Sequence, residues 1–124
     1  MYRLIFFSLI AVVVLSCKQQ GVSTIDAEQL KKLQSDGVVV VDIRTTKEFE
    51  RGHIPGVMHI DYRENNFLDL MSKIDKNEPV VIYCASGGRS GSASGLLSSE
   101  GFSMIYDYSG GFADWSGRGE QIEK

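Results

Sequence analysis

The sequence has little of the residue types that indicate a metal site or a nucleic-acid surface. Its 124 residues include only two histidines and two cysteines. Two isolated histidines and a single cysteine in the body of the chain do not form a convincing metal site, so we expect none. The formal net charge is −3, and lysine and arginine form no cluster. We therefore expect no nucleic acid among its partners.

Long apolar runs and a biased composition are also missing. The longest apolar stretch falls short of the about 20 residues that a membrane-spanning helix needs. Apolar residues make up 43% of the chain and charged residues 23%, which is ordinary for a globular protein and argues against disorder. A chain of this length has room for one domain with a modest core.

The N-terminus carries a short apolar run of the kind found in secretory signals. Arg3 precedes residues 4–15, which are apolar except for Ser8. A run of that length fits the roughly 7–15 apolar residues at the centre of a signal peptide. We therefore predict a signal peptide over residues 1–16, with an uncleaved short membrane anchor as the alternative.

The end of this run, VLSC at residues 14–17, resembles the lipobox of bacterial lipoproteins. Leucine is usual three places before the cysteine, where Val14 stands. The resemblance implies that Cys17 is lipidated and anchors the protein to a membrane of the bacterial cell envelope, on the periplasmic side. Residues 17–24 would then be the lipidated cysteine and a tether. Seven extended tether residues reach at most roughly 25 Å, which would keep the domain close to the bilayer.

Strands alternate with helices along the rest of the chain, which predicts an α/β fold with a parallel sheet. Asp26 and Gln29 have the spacing of a capping box, which predicts a helix start. Four valines in a row at residues 38–41 indicate a strand that is buried on both faces. The predicted helices are 26–34, 47–51, 67–74, 90–100 and 110–115, and the predicted strands are 38–41, 57–60, 80–83 and 102–106.

Cys84 ends an apolar run and begins a loop of small residues, CASGGRS. Gly87 and Gly88 allow backbone N–H groups to converge on an anion. The positive end of the following helix and the charge of Arg89 would act at the same place. Together they would lower a thiol pKa from about 8.5 into the range of roughly 3.5–7.5 seen at activated cysteines. We interpret Cys84 as a nucleophile; a small buried side chain without chemistry is the alternative.

Other polar residues near this loop are weaker candidates. Asp42 also follows a predicted strand, so in a parallel sheet it belongs to the same edge as Cys84. Nothing in the sequence connects His53 or His59 to the thiol, so a Cys–His pair is unsupported. His53 lies in a predicted turn, where we expect structural hydrogen bonds from it.

Three motifs, in matching order and spacing, resemble those of the single-domain rhodaneses. VVDIRTTKEFERGHIPGVMHI, at residues 40–60, resembles the family's first signature, D-x-R-x-x-x-E-F-x-x-G-H-I-P-G-A-x-N-I. YCASGGRS, at residues 83–90, resembles the active-site loop C-x-x-G-x-R-S, and GGFADW, at residues 110–115, resembles the closing G-G-x-x-x-W. The resemblance covers about residues 22–117 and leaves residues 118–124 as a C-terminal tail.

The resemblance implies a rhodanese-like sheet of five mainly parallel strands with helices on both faces. It implies that Cys84 cycles between thiol and persulfide without a cofactor, and that Trp115 is a packing anchor. The loop residues that would bind the outer sulfur are Ala85, Ser86, Gly87, Gly88, Arg89 and Ser90. The residues that would support the loop from beneath are Asp42, Arg44, Glu48 and His53.

Two positions depart from the family's pattern. The two-domain thiosulfate enzymes carry a basic residue directly after the cysteine, where this chain has Ala85. That difference weakens the case for thiosulfate as the physiological donor. The first signature usually has alanine and asparagine where this chain has the run Val57, Met58 and His59. We expect this change to alter packing only.

These features predict a membrane-tethered sulfurtransferase. It would move a sulfane sulfur through Cys84 from a small donor such as thiosulfate to a thiophilic acceptor, either a small molecule or a protein. A phosphatase is an alternative, but its loop has the form C-x5-R, and only four residues separate Cys84 from Arg89. Arsenate reduction would need resolving cysteines. A non-catalytic binding or sulfur-relay module is the remaining alternative, with Tyr62 or Phe112 as candidate contacts.

Overall fold

The computed structural model of the chain describes residues 12–13 and 21–124. Within these residues no helix is both long enough and apolar enough to cross a membrane. The predicted signal peptide over residues 1–16 lies almost wholly outside the described residues, and the predicted lipidation site at Cys17 lies outside them. Both stay predictions.

Over residues 21–124, five strands alternate with five helices. The capping box predicted at Asp26 is present, because its side chain accepts from the Gln29 amide and the Gln29 side chain accepts from the Asp26 amide. Thr45 caps the second helix in a similar way. The strands are β1 (Gly21–Ile25), β2 (Val39–Asp42), β3 (Met58–His59), β4 (Val80–Tyr83) and β5 (Met104–Tyr108). The helices are α1 (Ala27–Ser35), α2 (Thr46–Arg51), α3 (Phe67–Met71), α4 (Gly88–Ser99) and α5 (Gly111–Gly117).

The strands form one sheet in the order β1-β5-β4-β2-β3. All four strand pairings are parallel, so the carboxyl ends of the strands meet at one edge. The predicted α/β fold with a five-stranded sheet is therefore confirmed. The prediction for the valine run is confirmed for Val40 and Val41, which are buried on opposite faces of β2. It is wrong for Val39, which is exposed, and Val38 precedes the strand.

Two apolar cores cover the two faces of the sheet. On one face, Phe67 and Met71 of α3 and Ala93 and Leu97 of α4 pack against β2, β4 and β5. On the other face, α1 and α5 pack against the same strands. Helices therefore lie on both faces, as predicted, and Trp115 of α5 is buried as an anchor in the second core.

The interpretation of residues 17–24 as a tether is wrong for their second half. Gly21–Ile25 form the edge strand β1, which pairs in parallel with β5. The pattern was missed because the strand is at an edge, where only Ile25 is fully buried and the other side chains are partly or largely exposed. Its stability comes from hydrogen bonds to β5, whose paired residues are 83 positions further along the chain, and these have no local signature.

The C-terminal segment is also part of the domain, in contrast to the predicted tail at residues 118–124. Glu123 exchanges two backbone hydrogen bonds with His53, at 2.8 and 2.9 Å. The Trp115 indole N–H donates to the Gln121 carbonyl at 2.8 Å, and Lys31 forms an ion pair with Glu120. These contacts hold the end of the chain against α1, α5 and the turn after α2.

Candidate active site

Cys84 lies directly after β4, at the carboxyl edge of the sheet, and its side chain is 1% exposed. The chain then turns through Ala85, Ser86 and Gly87 into α4. The loop is therefore held between a central strand and a helix of 12 residues, both of which are packed in the core. Loops anchored in this way are the usual location of reactive groups in parallel sheets.

The loop directs hydrogen-bond donors at the sulfur. The Gly87 amide nitrogen lies 3.2 Å from Cys84 Sγ, and the Ser90 amide nitrogen lies 3.4 Å away. The Ser90 hydroxyl oxygen is 3.6 Å from the same sulfur. The predicted cradle therefore lies within the predicted loop, with its closest donors at Gly87 and Ser90.

Gly87 is required by the shape of this turn. Its φ of 97° lies in the left-handed region. A Cβ atom at Gly87 would also come within 2.5 Å of the Ser109 carbonyl oxygen. A side chain at this position would therefore move the amide that points at the sulfur.

These donors lower the pKa of the Cys84 thiol below its ordinary value. Burial alone would raise that pKa, because a thiolate loses its hydration. The Ser90 amide and hydroxyl and the amides of Gly87 and Ser86 outweigh burial, since each stabilises the negative charge. Individual backbone amides at the start of α4 and in the loop before it therefore lower the thiol pKa, an effect that the sequence analysis expected from the positive end of the helix.

Arg89 is placed differently from the expectation that its charge acts on the thiol. Its Nη2 atom donates to both carboxylate oxygens of Glu48, at 3.0 and 3.3 Å. The Nη1 atom is buried and has no hydrogen-bond partner in the part of the chain that the structure describes. Glu48 therefore fixes the guanidinium from α2 and leaves one end of it with free donors.

A buried ion pair lies beside the loop, formed by Asp42 and Arg44. Arg44 Nη2 lies 2.8 Å from Asp42 Oδ2 and also donates to the Gly52 carbonyl. The Tyr83 hydroxyl donates to Asp42 Oδ2 at 2.7 Å, and burial, followed by the Asp42 carboxylate, raises the pKa of this phenol far above its ordinary value. Two of the four predicted supporting residues, Asp42 and Arg44, thus form a single network with Tyr83, the last residue of the strand before Cys84.

The G-G-x-x-x-W motif holds the loop from the other side. The amide of Phe112 donates to the Cys84 carbonyl at 2.8 Å, and the amide of Ala113 donates to the Ala85 carbonyl at 2.9 Å. Gly111 makes this approach possible, because a Cβ there would lie 2.5 Å from the Cys84 carbonyl oxygen. The Phe112 ring in turn stacks on the Arg44 guanidinium, 4.2 Å from its central carbon.

The histidines lie apart from the thiol. His53 stacks on Phe49, with ring centroids 3.8 Å apart, and its Nδ1 atom is 3.0 Å from the Phe49 carbonyl. His59 stacks on the same ring, and its Nε2 atom is 2.7 Å from the Arg44 carbonyl. His53 was predicted to support the Cys84 loop. Its contacts in the structure are instead with Phe49 and with Glu123 of the C-terminal segment.

Sequence reasoning missed several residues that shape the site. The sequence predicts Tyr83 only as part of a strand and the pair Gly111–Phe112 only as part of a motif, and it gives no signal for Ser109. The candidate partner contacts Tyr62 and Phe112 are partly buried against the two cores. Among the described residues no group of three or more metal-ligating side chains occurs.

The fold and the loop together define a class of protein, the α/β proteins with a thiol held among hydrogen-bond donors at the carboxyl edge of a parallel sheet. The thiol is buried, its pKa is lowered, and backbone donors surround the position where negative charge develops. Comparisons with known proteins identify the family within that class. A model of the rhodanese-like domain matches residues 26–118.

Relatives and solved structures agree with that match. The thiosulfate sulfurtransferase GlpE of Ectopseudomonas mendocina is 38% identical over 91 residues, which cover 73% of this chain and 82% of that protein. GlpE of Pseudomonas aeruginosa is 39% identical over 88 residues, covering 71% and 78%. The crystal structure of a rhodanese-like domain protein from Staphylococcus aureus superposes with a TM-score of 0.68 at 29% identity, covering 82% of this chain and 98% of that one. A human single-domain sulfurtransferase gives a TM-score of 0.66 at 25% identity, covering 77% and 96%.

The chain therefore belongs to the rhodanese-like domain family and is a rhodanese-type sulfurtransferase. The fold that the motifs implied is confirmed by these matches.

Proposed function

We propose that the protein transfers a sulfane sulfur through a persulfide on Cys84. The observation that carries this proposal is the convergence of the Gly87 and Ser90 amides on Sγ, at 3.2 and 3.4 Å. Preorganised donors of this kind stabilise a thiolate before the reaction and the anionic outer sulfur after it. The lowered pKa of the thiol supports the same role, because the thiolate is the reactive form.

The reaction has two half-reactions. In the first, the Cys84 thiolate attacks the outer sulfur of a donor such as thiosulfate. A new S–S bond forms on Cys84, the S–S bond of the donor breaks, and its electron pair leaves with sulfite. In the second, a thiophilic acceptor such as cyanide takes the outer sulfur, and the electron pair of the broken bond returns to Cys84 as a thiolate. The persulfide is the carrier, so no cofactor takes part.

Arg89 is the group that would bind the charged end of the donor. Glu48 fixes the guanidinium through Nη2 at 3.0 Å, and 19% of the Arg89 side chain remains exposed to meet an anion. A guanidinium with free N–H groups suits a sulfonate or carboxylate. Thiosulfate, the substrate in the name of the GlpE relatives, has a sulfonate-like end, and mercaptopyruvate has a carboxylate.

The test is the formation of thiocyanate from thiosulfate and cyanide by the purified protein. We expect turnover by the wild type, none by Cys84→Ser, and a wild-type rate from Cys17→Ser, the matched change at the other cysteine. Mass spectrometry after donor alone should find one additional sulfur on Cys84. Absent turnover in the wild type, or equal turnover in Cys84→Ser, would overturn the proposal. Mercaptopyruvate and polysulfide, run beside thiosulfate, identify the preferred donor.

We also propose that lipid on Cys17 holds the protein at a membrane of the bacterial cell envelope, on the periplasmic side. The lipobox-like residues 14–17 support this proposal. Strand β1 begins at Gly21, which lies at the amino ends of the parallel strands, whereas Cys84 lies at their carboxyl ends. An anchor at Cys17 would therefore leave the active site facing away from the bilayer. Cys17→Ala should abolish acylation and membrane partition together; partition that persists without lipid would favour an uncleaved anchor.

A further inference from the structure

Helix α2 carries Glu48, the residue that fixes Arg89, yet none of the helix's own side chains is buried. Most helices in proteins are stabilised by packing an apolar face against a core. Because α2 buries no such face, its position depends on contacts at its two ends and on the half-buried ring of Phe49. Thr45 supplies the contact at the first end, where its hydroxyl accepts from the Glu48 amide.

The side chain of Phe49 ties α2 to the rest of the domain. Its ring lies between two histidine rings, with centroid separations of 3.8 Å to His53 and 4.4 Å to His59. Stacked rings of this kind hold one another in a preferred geometry. Phe49 directly follows Glu48, so the stack fixes the stretch of backbone from which Glu48 reaches Arg89.

The C-terminal segment, residues 119–124, lies beyond the part of the chain that the family model matches, and it holds His53 in place. The His53 amide donates to the Glu123 carbonyl at 2.8 Å, and the Glu123 amide donates to the His53 carbonyl at 2.9 Å. Ile122 covers the residue before His53, because a Cβ at Gly52 would lie 3.3 Å from Ile122 Cδ1. The second end of α2 is therefore held by the C-terminal segment.

We propose that the C-terminal segment positions Arg89 for the sulfur donor, acting through α2. The backbone bridge at Glu123 fixes His53, and the ring stack passes that constraint to Phe49. The adjacent Glu48 then holds the Arg89 guanidinium, with 3.0 Å between Oε2 and Nη2. This inference rests on the proposed function, in which Arg89 binds the charged end of the donor, and it adds the residues that orient Arg89.

The pair formed by Arg89 and Glu48 needs such support. It is only partly buried, with 19% of the Arg89 side chain and 32% of the Glu48 side chain exposed. Partly exposed pairs of long side chains lose stability to conformational freedom. A helix that is held at both ends reduces this freedom for Glu48. A guanidinium binds an anion in a planar, directional geometry, so its orientation affects binding of the donor more than the reactivity of the thiol.

A double-mutant cycle on donor kinetics separates this role from a general structural one. Glu123→Pro removes the amide that donates to His53. Lys124→Pro is the matched control, because the Lys124 amide donates no backbone hydrogen bond within residues 21–124. Each change would be measured alone and combined with Arg89→Met in the thiocyanate assay.

Phe49→Leu tests the second link, since it keeps an apolar side chain and loses the ring stack. We expect Glu123→Pro and Phe49→Leu each to raise KM for thiosulfate at least about threefold, in the lower part of the range for coupled residues, with kcat within about twofold of wild type. Combined with Arg89→Met, the same changes should alter KM less than about 1.5-fold, because the residue they position is gone. Lys124→Pro should change neither constant.

Alkylation of Cys84 by iodoacetamide reports on the loop independently, because this reagent is uncharged and needs no anion site. Its rate should stay within about twofold of wild type in Glu123→Pro and Phe49→Leu, as expected where the two sites are not coupled. If Glu123→Pro fails to fold, the cycle with Phe49→Leu gives the same decision.

Three results would overturn the proposal: an unchanged KM in Glu123→Pro, an equal rise in KM with and without Arg89, or alkylation that slows as much as KM rises. An inactive wild type refutes the proposed function itself. An unchanged KM in Arg89→Met removes Arg89 from the donor site. Both of these results are distinguishable from a failure of the positioning role alone.

Discussion

The amide N–H of Phe112 donates a hydrogen bond of 2.8 Å to the carbonyl oxygen of Cys84. This bond joins the end of the fold to the reactive residue itself. Gly111, with a φ of +64°, is the position that lets the two backbones approach. The G-G-x-x-x-W motif therefore contacts the backbone of the candidate active-site loop and also forms the start of α5.

Gly111→Ala should damage both stability and sulfur transfer. A Cβ at this position would lie 2.5 Å from the Cys84 carbonyl oxygen and 2.6 Å from that of Ala85, at a backbone conformation that alanine rarely adopts. We expect a loss of at least about 2 kcal/mol in the free energy of unfolding, measured by urea denaturation. Gly95→Ala, in the open middle of α4, should instead stabilise by about 0.5–1 kcal/mol. Equal effects of the two changes would contradict this account.

Ser90→Ala should raise the pKa of the Cys84 thiol. The Ser90 hydroxyl is one of the donors that hold this pKa below its ordinary value, so its loss disfavours the thiolate. At neutral pH a smaller fraction of the thiol is then ionised, and alkylation by iodoacetamide should slow. The acid limb of the pH profile of alkylation should shift to higher pH. Ser92→Ala, an exposed position one turn away from the sulfur, should leave the profile unchanged.

Arg89→Met should weaken binding of an anionic donor. The variant removes the guanidinium that Glu48 orients at 3.0 Å, and with it the charge-assisted hydrogen bonds proposed for the donor. We expect KM for thiosulfate to rise at least about tenfold in the thiocyanate assay, since such bonds are worth about 1.5–3 kcal/mol. Arg63→Met, at an exposed residue, serves as the control. An unchanged KM in Arg89→Met would remove Arg89 from the proposed donor site.

Arg44→Met should destabilise the fold strongly. It leaves Asp42, which is fully buried, without its ion-pair partner, and also deprives the Gly52 carbonyl of a donor. Breaking one side of a buried pair costs about 3–5 kcal/mol. Lys32→Met breaks an exposed pair with Asp36 and should cost less than about 1 kcal/mol. Chemical denaturation of both variants tests the difference; comparable losses would show that burial of the Asp42–Arg44 pair does not matter.

Much of the site could be predicted because its residues are close together in sequence. Cys84, Gly87 and Ser90 belong to one turn, and the chemistry of a strand, a glycine-containing loop and a helix start is local. The capping of α1 at Asp26 was predictable for the same reason, since donor and acceptor are three residues apart. The family motifs added the fold class, which the comparisons confirm.

The contacts that only the tertiary structure decided join residues far apart in the chain. Arg89 forms an ion pair with Glu48, which is 41 residues away in sequence. The groups that lower the thiol pKa are instead Ser90, Gly87 and Ser86. His53 faces the C-terminal segment, because a backbone bridge to Glu123 forms there. Strand β1 exists because β5 offers it an edge, although residues 21–24 look like a polar tether in isolation.

By itself, the sequence indicated which residue is the candidate nucleophile and what kind of loop surrounds it, since propensity and hydrogen bonding within a turn depend on neighbours. The tertiary structure decided which charges meet and which faces of the strands are shared. Those relationships depend on the order and register of parallel strands, which pair residues that no local pattern connects.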